Sequence, residues 1–357
     1  MPPWPLIEAP IGEVVVSYPA ATEDPQYPTV FSNGPARLAA DYFPPLQRAP
    51  RMSLRRVEDV VLLPGHIFLS RSGNGLLPSS LGIESLPGRG TIWPARGGRY
   101  WSVPRRRYAE PEVIEEPVFV ADCMYDEFGH MLVEALPNFA FLPAIPEEVR
   151  IASTARMNSA FAGLIRPFGA DPESALHINR ALICRVAYIP DAPVNAWQHV
   201  HPLAHAAFER AAAVAAASTV ERHERLYVSR AGIARRRLQN EAEIEEMFAS
   251  RGFAIVRPET LSIADQVALA SSAKMIAGPG GSAMHLAVFA PLEASVLLLS
   301  SANWTVPVDV LLNRRGNRLA YVIGEDDAPE HRTEGNHWHW RLDPALVERA
   351  ISRVFGL

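Results

Sequence analysis

The sequence predicts a two-domain α/β protein whose C-terminal part is a doubly wound parallel sheet. The chain has 357 residues, and a single hydrophobic core rarely grows past roughly 250 to 300. Hydrophobic residues make up 48% and charged residues 20%, the composition of a chain that buries a sizeable core. From about residue 219 onward, short apolar runs alternate with helical stretches, the pattern of strands joined by right-handed crossovers.

The first fifty residues are crowded with proline, as in Tyr42-Phe43-Pro44-Pro45-Leu46. Proline withholds ladder donors, so residues 1–50 read as an irregular arm or edge structure draped over a domain. Residues 51–218 read as an N-terminal α/β domain. Val57 to Leu63 and Ile67 to Leu69 form hairpin strands around Pro64-Gly65, with a further turn at Gly73-Asn74-Gly75. Pro117 to Cys123 is a strand feeding a helix over Gly129 to Leu142. Alternation continues with a strand at Val149 to Ala152, a helix near Ala155 to Phe168 and strands between Ala175 and Ile189. Val194 to Val220, alanine-rich, reads as one long helix carrying the chain between domains, with the boundary near Ser218.

Residues 219–340 read as the second domain. Its strands are expected at Leu226 to Ser229, Phe253 to Val256, Met275 to Ala277, Val296 to Leu299 and Leu319 to Ile323. Helices are expected at Asn240 to Arg251, Ile263 to Ser272, Ser282 to Phe289 and Val306 to Arg315. This is a Rossmann-like pattern. Residues 341–357 hold a last helix, Asp343 to Phe355, opened by an Asp-Pro cap and expected to pack back on the first domain.

A formal charge of −5, from 34 basic and 39 acidic residues, supplies no basic field for a nucleic-acid backbone, so no nucleic-acid partner is expected. Cys123 and Cys184 lie in apolar runs and read as buried thiols rather than a disulfide framework. Met1-Pro2-Pro3-Trp4-Pro5 lacks the pattern of a signal peptide, and every alanine-rich run is interrupted by charge, so neither leader nor membrane span is expected. Lys274 is the only lysine; the remaining positive charge is arginine, whose guanidinium fork suits phosphate.

Two loops after strands of the second domain attract attention, because ligands of doubly wound sheets bind beyond the carboxyl ends of strands. Ser229-Arg230-Ala231-Gly232-Ile233-Ala234-Arg235-Arg236-Arg237 puts a basic cluster there; a solvated loop is the plain alternative. Gly278-Pro279-Gly280-Gly281-Ser282 runs from strand to helix, where small residues admit a ligand and amides face an anion, although tight turns need glycine in any case. Together they fit a nucleotide diphosphate. In the first domain, Asp126-Glu127-Phe128-Gly129-His130 leads to Glu134, four residues on and on the same helix face. A carboxylate there can orient an imidazole for proton removal; an i,i+4 surface pair is the alternative. Pro137 kinks the helix just beyond. His199, His201 and His205, and His337 with His339, lack acidic or cysteine co-ligands, so no metal site is expected. Trp338 and Trp340 read as packing residues that could stack on a sugar.

Three segments in this order resemble glycosyltransferase family 61. They are Phe128-Gly129-His130 through Glu134 to Leu136-Pro137; Tyr227-Val228-Ser229-Arg230 with Arg235-Arg236 and Asn240-Glu241; and Leu261 through Asp265-Gln266 to Ile276-Ala277-Gly278-Pro279-Gly280-Gly281-Ser282-Ala283. The resemblance spans about residues 115–325. It implies a GT-B arrangement of two Rossmann-like domains facing a cleft, with an acceptor-side first domain and a nucleotide-sugar-binding second one. It implies inverting, metal-independent transfer to a glycan or lipid-linked glycan in capsular, exo- or lipopolysaccharide synthesis. His130 and Glu134 are then the catalytic residues, either being the direct base, and Arg230, Arg235, Gly280, Gly281 and Ser282 bind the donor diphosphate. Ser229, Asn240, Gln266 and Gly278 are further donor-binding candidates. No cofactor or metal is expected, only a UDP-linked sugar as substrate. The chain departs from the family at Gly280, where most members carry histidine, and at Leu297-Leu298-Leu299-Ser300-Ser301, which lacks the family's glutamate. A non-catalytic nucleotide-sugar-binding or scaffold protein of the same fold is therefore the alternative. A cytoplasmic location is expected, with weak peripheral membrane contact through Arg105-Arg106-Arg107 beside Trp101 and Tyr108, or a solvated loop there instead.

Overall fold

The structure, a computed structural model, describes residues 12–22, 24, 26–33, 47–65, 67–70, 111–121, 127–196, 198–302, 305, 307–311, 318–326 and 339–357, and the backbone of short strands at 4–5, 93–95 and 100–102. The proline run at 42–46, the turn at 73–75, Cys123, Asp126, the arginines at 105–107 with Tyr108, His337 and Trp338 lie outside these residues. The chain divides into two compact units, residues 1–21, 49–194 and 201–211, and residues 22–48, 195–200 and 212–357. Its N-terminal stretch supplies one strand to each: β1, Glu13–Tyr18, and β2, Thr29–Ser32. What reads from the sequence as a separate arm is thus shared between two sheets.

The first unit is built on an eight-stranded mixed sheet. Its strands, besides β1, are β3 (Met52–Leu63), β4 (Ile67–Ser70), β5 (Glu112–Ile114), β6 (Val118–Val120), β7 (Arg150–Ser153), β8 (Leu176–His177) and β9 (Leu182–Pro190). The order β8-β7-β6-β9 is parallel, and β3 then runs antiparallel to β9, extended by β1 and β4. Half of this sheet therefore follows Rossmann logic. β5 also pairs β9 in parallel, whereas β3 and β4 are antiparallel because Pro64-Gly65 closes a tight turn that only antiparallel neighbours can share. Cys184 is buried in the core beside Val60 and Leu62, and burial pushes its thiol up to about 12. On the other face Phe139 meets Phe119, Phe161 and Phe168 at 5.5 to 6.2 Å between ring centroids. Phe161 belongs to α1, Ser159–Ile165, capped by the Asn158 side chain.

The long helix expected over 194–220 is not formed. Helix α2 covers Leu203–Ala211, followed by a 3₁₀ stretch at Ala212–Ala217. Pro202 withholds the amide that an α-helix running through it would need, so the helix begins just beyond.

The second unit matches the predicted alternation closely: β10 (Arg225–Val228), α3 (Glu241–Ala249), β11 (Ala254–Val256), α4 (Ile263–Ser272), β12 (Met275–Pro279), the 3₁₀ helix Ser282–Phe289, β13 (Ser295–Ser301), α5 (Pro307–Leu311) and β14 (Leu319–Asp326). The order β11-β10-β12-β13-β14 is wholly parallel, with β2 parallel to β14 at its far side and β15, Trp340–Arg341, antiparallel there. Successive residues bury opposite faces, Leu226, Ile276 and Leu298 on one and Tyr227, Ala277 and Leu297 on the other, the period of strands covered on both sides.

The last helix, α6 (Pro344–Phe355), corrects an expectation. Its apolar stripe, Leu346, Val347, Ala350, Ile351 and Phe355, is buried in the second unit's own core with Ala320 and Val322. Only Leu342 and Asp343 separate it from β15, and Asn240 grips Leu342, so the helix starts beside this sheet and stays there.

Phe248 is buried between Tyr227 and Phe253, with centroids at 4.9 and 5.0 Å. Phe248→Ala is expected to cost about 3–5 kcal/mol of stability, read from urea denaturation.

Candidate functional site

In the second unit the strand order reverses between β10 and β12, and ligands of such sheets sit outside the carboxyl ends of the two strands flanking the reversal. Arg230 follows β10 and Gly280 follows β12. The two loops touch there, since a Cβ on Gly281 would collide with the Arg230 guanidinium. Gly281 also has φ of 142°, a conformation side chains avoid. Gly278 serves close packing, a Cβ there lying 2.5 Å from the Val228 carbonyl oxygen and 2.8 Å from Met284 Sδ. Gly280 differs: its amide donates to the Leu299 carbonyl at 2.7 Å, and a Cβ would meet nothing nearer than 3.6 Å. It ties the loop to β13. Ser282 and Ala283 open the 3₁₀ helix, where the first amides have no carbonyl of their own helix to bond.

Arg230 is 9% exposed. Burial holds its guanidinium below its usual range, opposed by the nearby carboxylates of Glu241 and Glu259. Arg236, with φ of 51°, is pushed down to about 10, first by burial and then by repulsion from Arg230 and Arg235. The Arg235 side chain is exposed, while its carbonyl accepts from Arg230 Nη2 at 3.4 Å. Three guanidinium groups thus crowd one strand end, where an anion relieves both the repulsion and the burial cost. Ser229 is buried and shapes the turn, its Oγ accepting from the Ala231 amide at 3.2 Å.

Two predicted donor-binding side chains also brace the frame of the site. The Asn240 amide group donates to the Leu342 carbonyl at 3.0 Å and accepts from the Leu342 amide at 3.1 Å. Gln266 Nε2 donates to the Pro258 and Leu261 carbonyls at 2.9 and 3.1 Å, fixing the turn that holds Glu259.

Sequence reasoning assigned no role to Glu241. It is 3% exposed, and its Oε1 accepts the Arg230 backbone amide at 2.6 Å. Burial pushes its carboxyl up to about 7, assisted by Glu245 and opposed by the Arg230 amide and by Arg230 and Arg237. The signal was present in the periodicity: Glu241, Ile244 and Phe248 form the buried stripe of α3. His285 was also missed; its Nε2 lies 3.1 Å from Asp309 Oδ1, and Asp309 Oδ2 accepts from the Tyr321 hydroxyl at 3.4 Å.

In the first unit the parallel order reverses between β6 and β9, and the segment after β6 carries His130 and Glu134. The expected helix is composite, with an α-turn at Phe128–His130, a π-turn at Met131–Ala135 and a 3₁₀ stretch at Leu136–Ala144. Pro137 cannot donate to Val133 and its ring crowds that carbonyl; the backbone widens, and the Leu136 amide reaches back to Met131. His130 Nδ1 lies 2.5 Å from Glu134 Oε2, with side-chain exposures of 33% and 17%. With Nδ1 bearing the proton shared with Glu134, Nε2 carries the basic lone pair, on the more exposed member of the pair.

His201 has a structural role. His201 Nδ1 accepts from the Leu203 amide at 3.2 Å, which makes Nε2 the donor to the Pro19 carbonyl at 2.9 Å. Trp340 is a core residue, 3% exposed. Among the described residues no three His, Cys, Asp or Glu side chains converge as a metal-ligand set.

Gly281→Ala is expected to displace Arg230 and weaken binding of a nucleoside diphosphate by about tenfold or more, the loss of one charge-assisted hydrogen bond, in calorimetry on protein with an unchanged circular dichroism spectrum. Because the folded Glu241 carboxyl titrates above its unfolded value, its contribution is fully present below about pH 4.5 and is lost as pH rises through about 7. Glu241→Gln is therefore expected to gain stability relative to the native chain between pH 5 and 8, read as a rising difference in Tm.

Residues 128–297 match the family model described as Glycosyltransferase 61. The match opens at the first residue of the composite helix and runs through the arginine loop, Glu241 and the glycine loop into β13. No curated protein matches the chain significantly. Such an enzyme uses a sugar donor and an acceptor. Residues 128–297 form a glycosyltransferase family 61 domain, and by that domain the chain is a glycosyltransferase.

Proposed function

We propose that the enzyme transfers a sugar, with inversion and without a metal ion, from a nucleotide-sugar donor to a hydroxyl of a glycan or lipid-linked glycan. The observation that carries this is the cluster of Arg230, Arg235 and Arg236 at the reversal point of a parallel sheet, with the Arg230 guanidinium against Gly281. A departing nucleoside diphosphate develops negative charge as the anomeric bond breaks, and fixed positive groups in a poorly hydrated place stabilise it where Mg²⁺ would otherwise be needed. The 3₁₀ amides at Ser282 and Ala283 add to that field.

His130 serves as the base. In a single displacement the acceptor oxygen attacks the anomeric carbon from the face opposite the leaving group, its proton passes to His130 Nε2, and the diphosphate leaves with the bonding pair. Glu134 holds the ring by Nδ1 and stabilises the imidazolium that forms. This reading takes the two units as a GT-B pair, acceptor on the first and donor on the second; its support is that each unit carries its candidate residues in the segments that follow the strands where its parallel order reverses. UDP is the expected nucleotide, and surface-polysaccharide synthesis in the cytoplasm, with weak peripheral membrane contact, is the setting proposed. No helix among the described residues is long and apolar enough to cross a membrane.

The test is donor turnover. His130→Ala is expected to lower kcat by about 10² to 10⁴ with donor KM little changed, while EDTA leaves the native rate intact. Loss of transfer in EDTA would overturn the metal-independent mechanism.

A further inference from the structure

Beside the arginine loop lies a cluster of buried carboxyl and hydroxyl oxygens that the transfer step does not use. Glu241 Oε1 holds the Arg230 amide at 2.6 Å, but Glu241 Oε2, Glu245 Oε1 and the Tyr227 hydroxyl are all buried without hydrogen-bond partners. Glu241 and Glu245 are one helical turn apart on α3, and Tyr227, on β10, has its hydroxyl titration driven well up by burial and then by these two carboxylates. A carboxylate anion with one orphaned oxygen is costly in such a place; a carboxylic acid keeps Oε1 as acceptor and gives Oε2 a proton to donate.

The groups facing Glu241 fix what a ligand does to it. Burial and Glu245 oppose the anion, Arg230 and Arg237 favour it, and the Tyr227 hydroxyl feels both carboxylates. The other first-turn acid, Glu243, pairs instead with Asn240 at 3.0 Å and Arg341 at 3.8 Å. Arg230 is therefore the cation shared between Glu241 and any anion arriving at the Gly281 face. A diphosphate there brings new negative charge near the carboxylate and draws on the same guanidinium.

Resting on the donor reading above, we propose that Glu241 is a positioning residue for donor binding: it anchors the Arg230 backbone and takes up one proton from solvent as a nucleoside diphosphate settles against the guanidinium. The protonated acid still holds the Arg230 amide, so the loop keeps its shape while the opposing charge disappears. With the free carboxyl titrating near 7, uptake is small at pH 6, where the acid is already mostly protonated, and approaches one proton at pH 8 when binding lifts the titration above about 9.

Isothermal titration of the full chain with uridine diphosphate, and with adenosine and guanosine diphosphates in parallel, in buffers of differing ionisation enthalpy, measures the protons directly. The window pH 7.5 to 9 keeps the terminal phosphate of the probe ionised and lies below the titration of Arg236 at about 10. Expected are close to one proton bound per diphosphate at pH 8 and an affinity falling up to about tenfold per pH unit. In Glu241→Gln, whose amide oxygen can still accept from Arg230, both the uptake and this slope should vanish while binding persists. Binding with no uptake in the native chain, or uptake retained in Glu241→Gln, overturns the role of Glu241 and leaves the donor reading standing. No binding of any diphosphate overturns both. The native-chain proton count needs no variant, so a Glu241→Gln chain that fails to fold does not shelter the proposal.

Discussion

Holding a guanidinium group nine-tenths buried at the end of a parallel sheet is the constraint around which the second unit is arranged. Arg230 is kept out of water with the carboxylates of Glu241 and Glu259 offsetting part of the burial cost. Gly281, lacking a Cβ, lets the guanidinium approach the backbone, Glu241 fixes the Arg230 amide, and Glu259, on a turn pinned by Gln266, adds compensating charge. The far end of the loop is laced to the C-terminal segment: the Trp340 amide donates to the Arg237 carbonyl, and the Gln239 amide to that of Trp340. Each of these groups has an ordinary structural description, yet all converge on one side chain.

The first unit meets a different demand, the aim of a histidine. A regular α-helix also brings residues i and i+4 together, but Pro137 forces the turn holding Glu134 to widen, and π-turns recur at functional sites because they re-aim side chains without ending the helix. The cost of the irregularity is offset by the apolar residues around it, since Met131, Leu132, Val133, Ala135 and Leu136 are all buried. Packing therefore anchors the segment while the backbone departs from the ordinary ladder.

Much of this was legible in the sequence because it is local. Strands β10 to β14 and the helices between them follow from apolar runs and punctuation, and the two loops were identified by position after a strand. The His130 and Glu134 pairing followed from spacing alone. What stayed hidden depends on distant partners. That α6 covers its own unit's sheet is decided by the grip of Asn240 on Leu342, about a hundred positions away in the chain. The bracing bonds of Asn240 and Gln266 likewise depend on distant or turn carbonyls that residue type does not reveal. Glu241 was quoted in a motif but given no task, because a charged residue on a buried stripe looks like a surface position until its acceptor bond is seen.

Strand β2 places the beginning of the chain in the sheet that the end of the chain completes: Thr29 pairs with Ala320 and Ser32 with Ile323. A protein emerging from the ribosome at roughly 5 to 20 residues per second exposes β2 for on the order of 15 to 60 s before β14 exists to receive it. During that interval its unpaired edge is available to any other extended chain, which makes the nascent enzyme a natural client for holding chaperones. Any contiguous fragment starting at residue 212 keeps β13 beside β14 but lacks β2, and so leaves the edge of β14 at residues 320–323 unpaired.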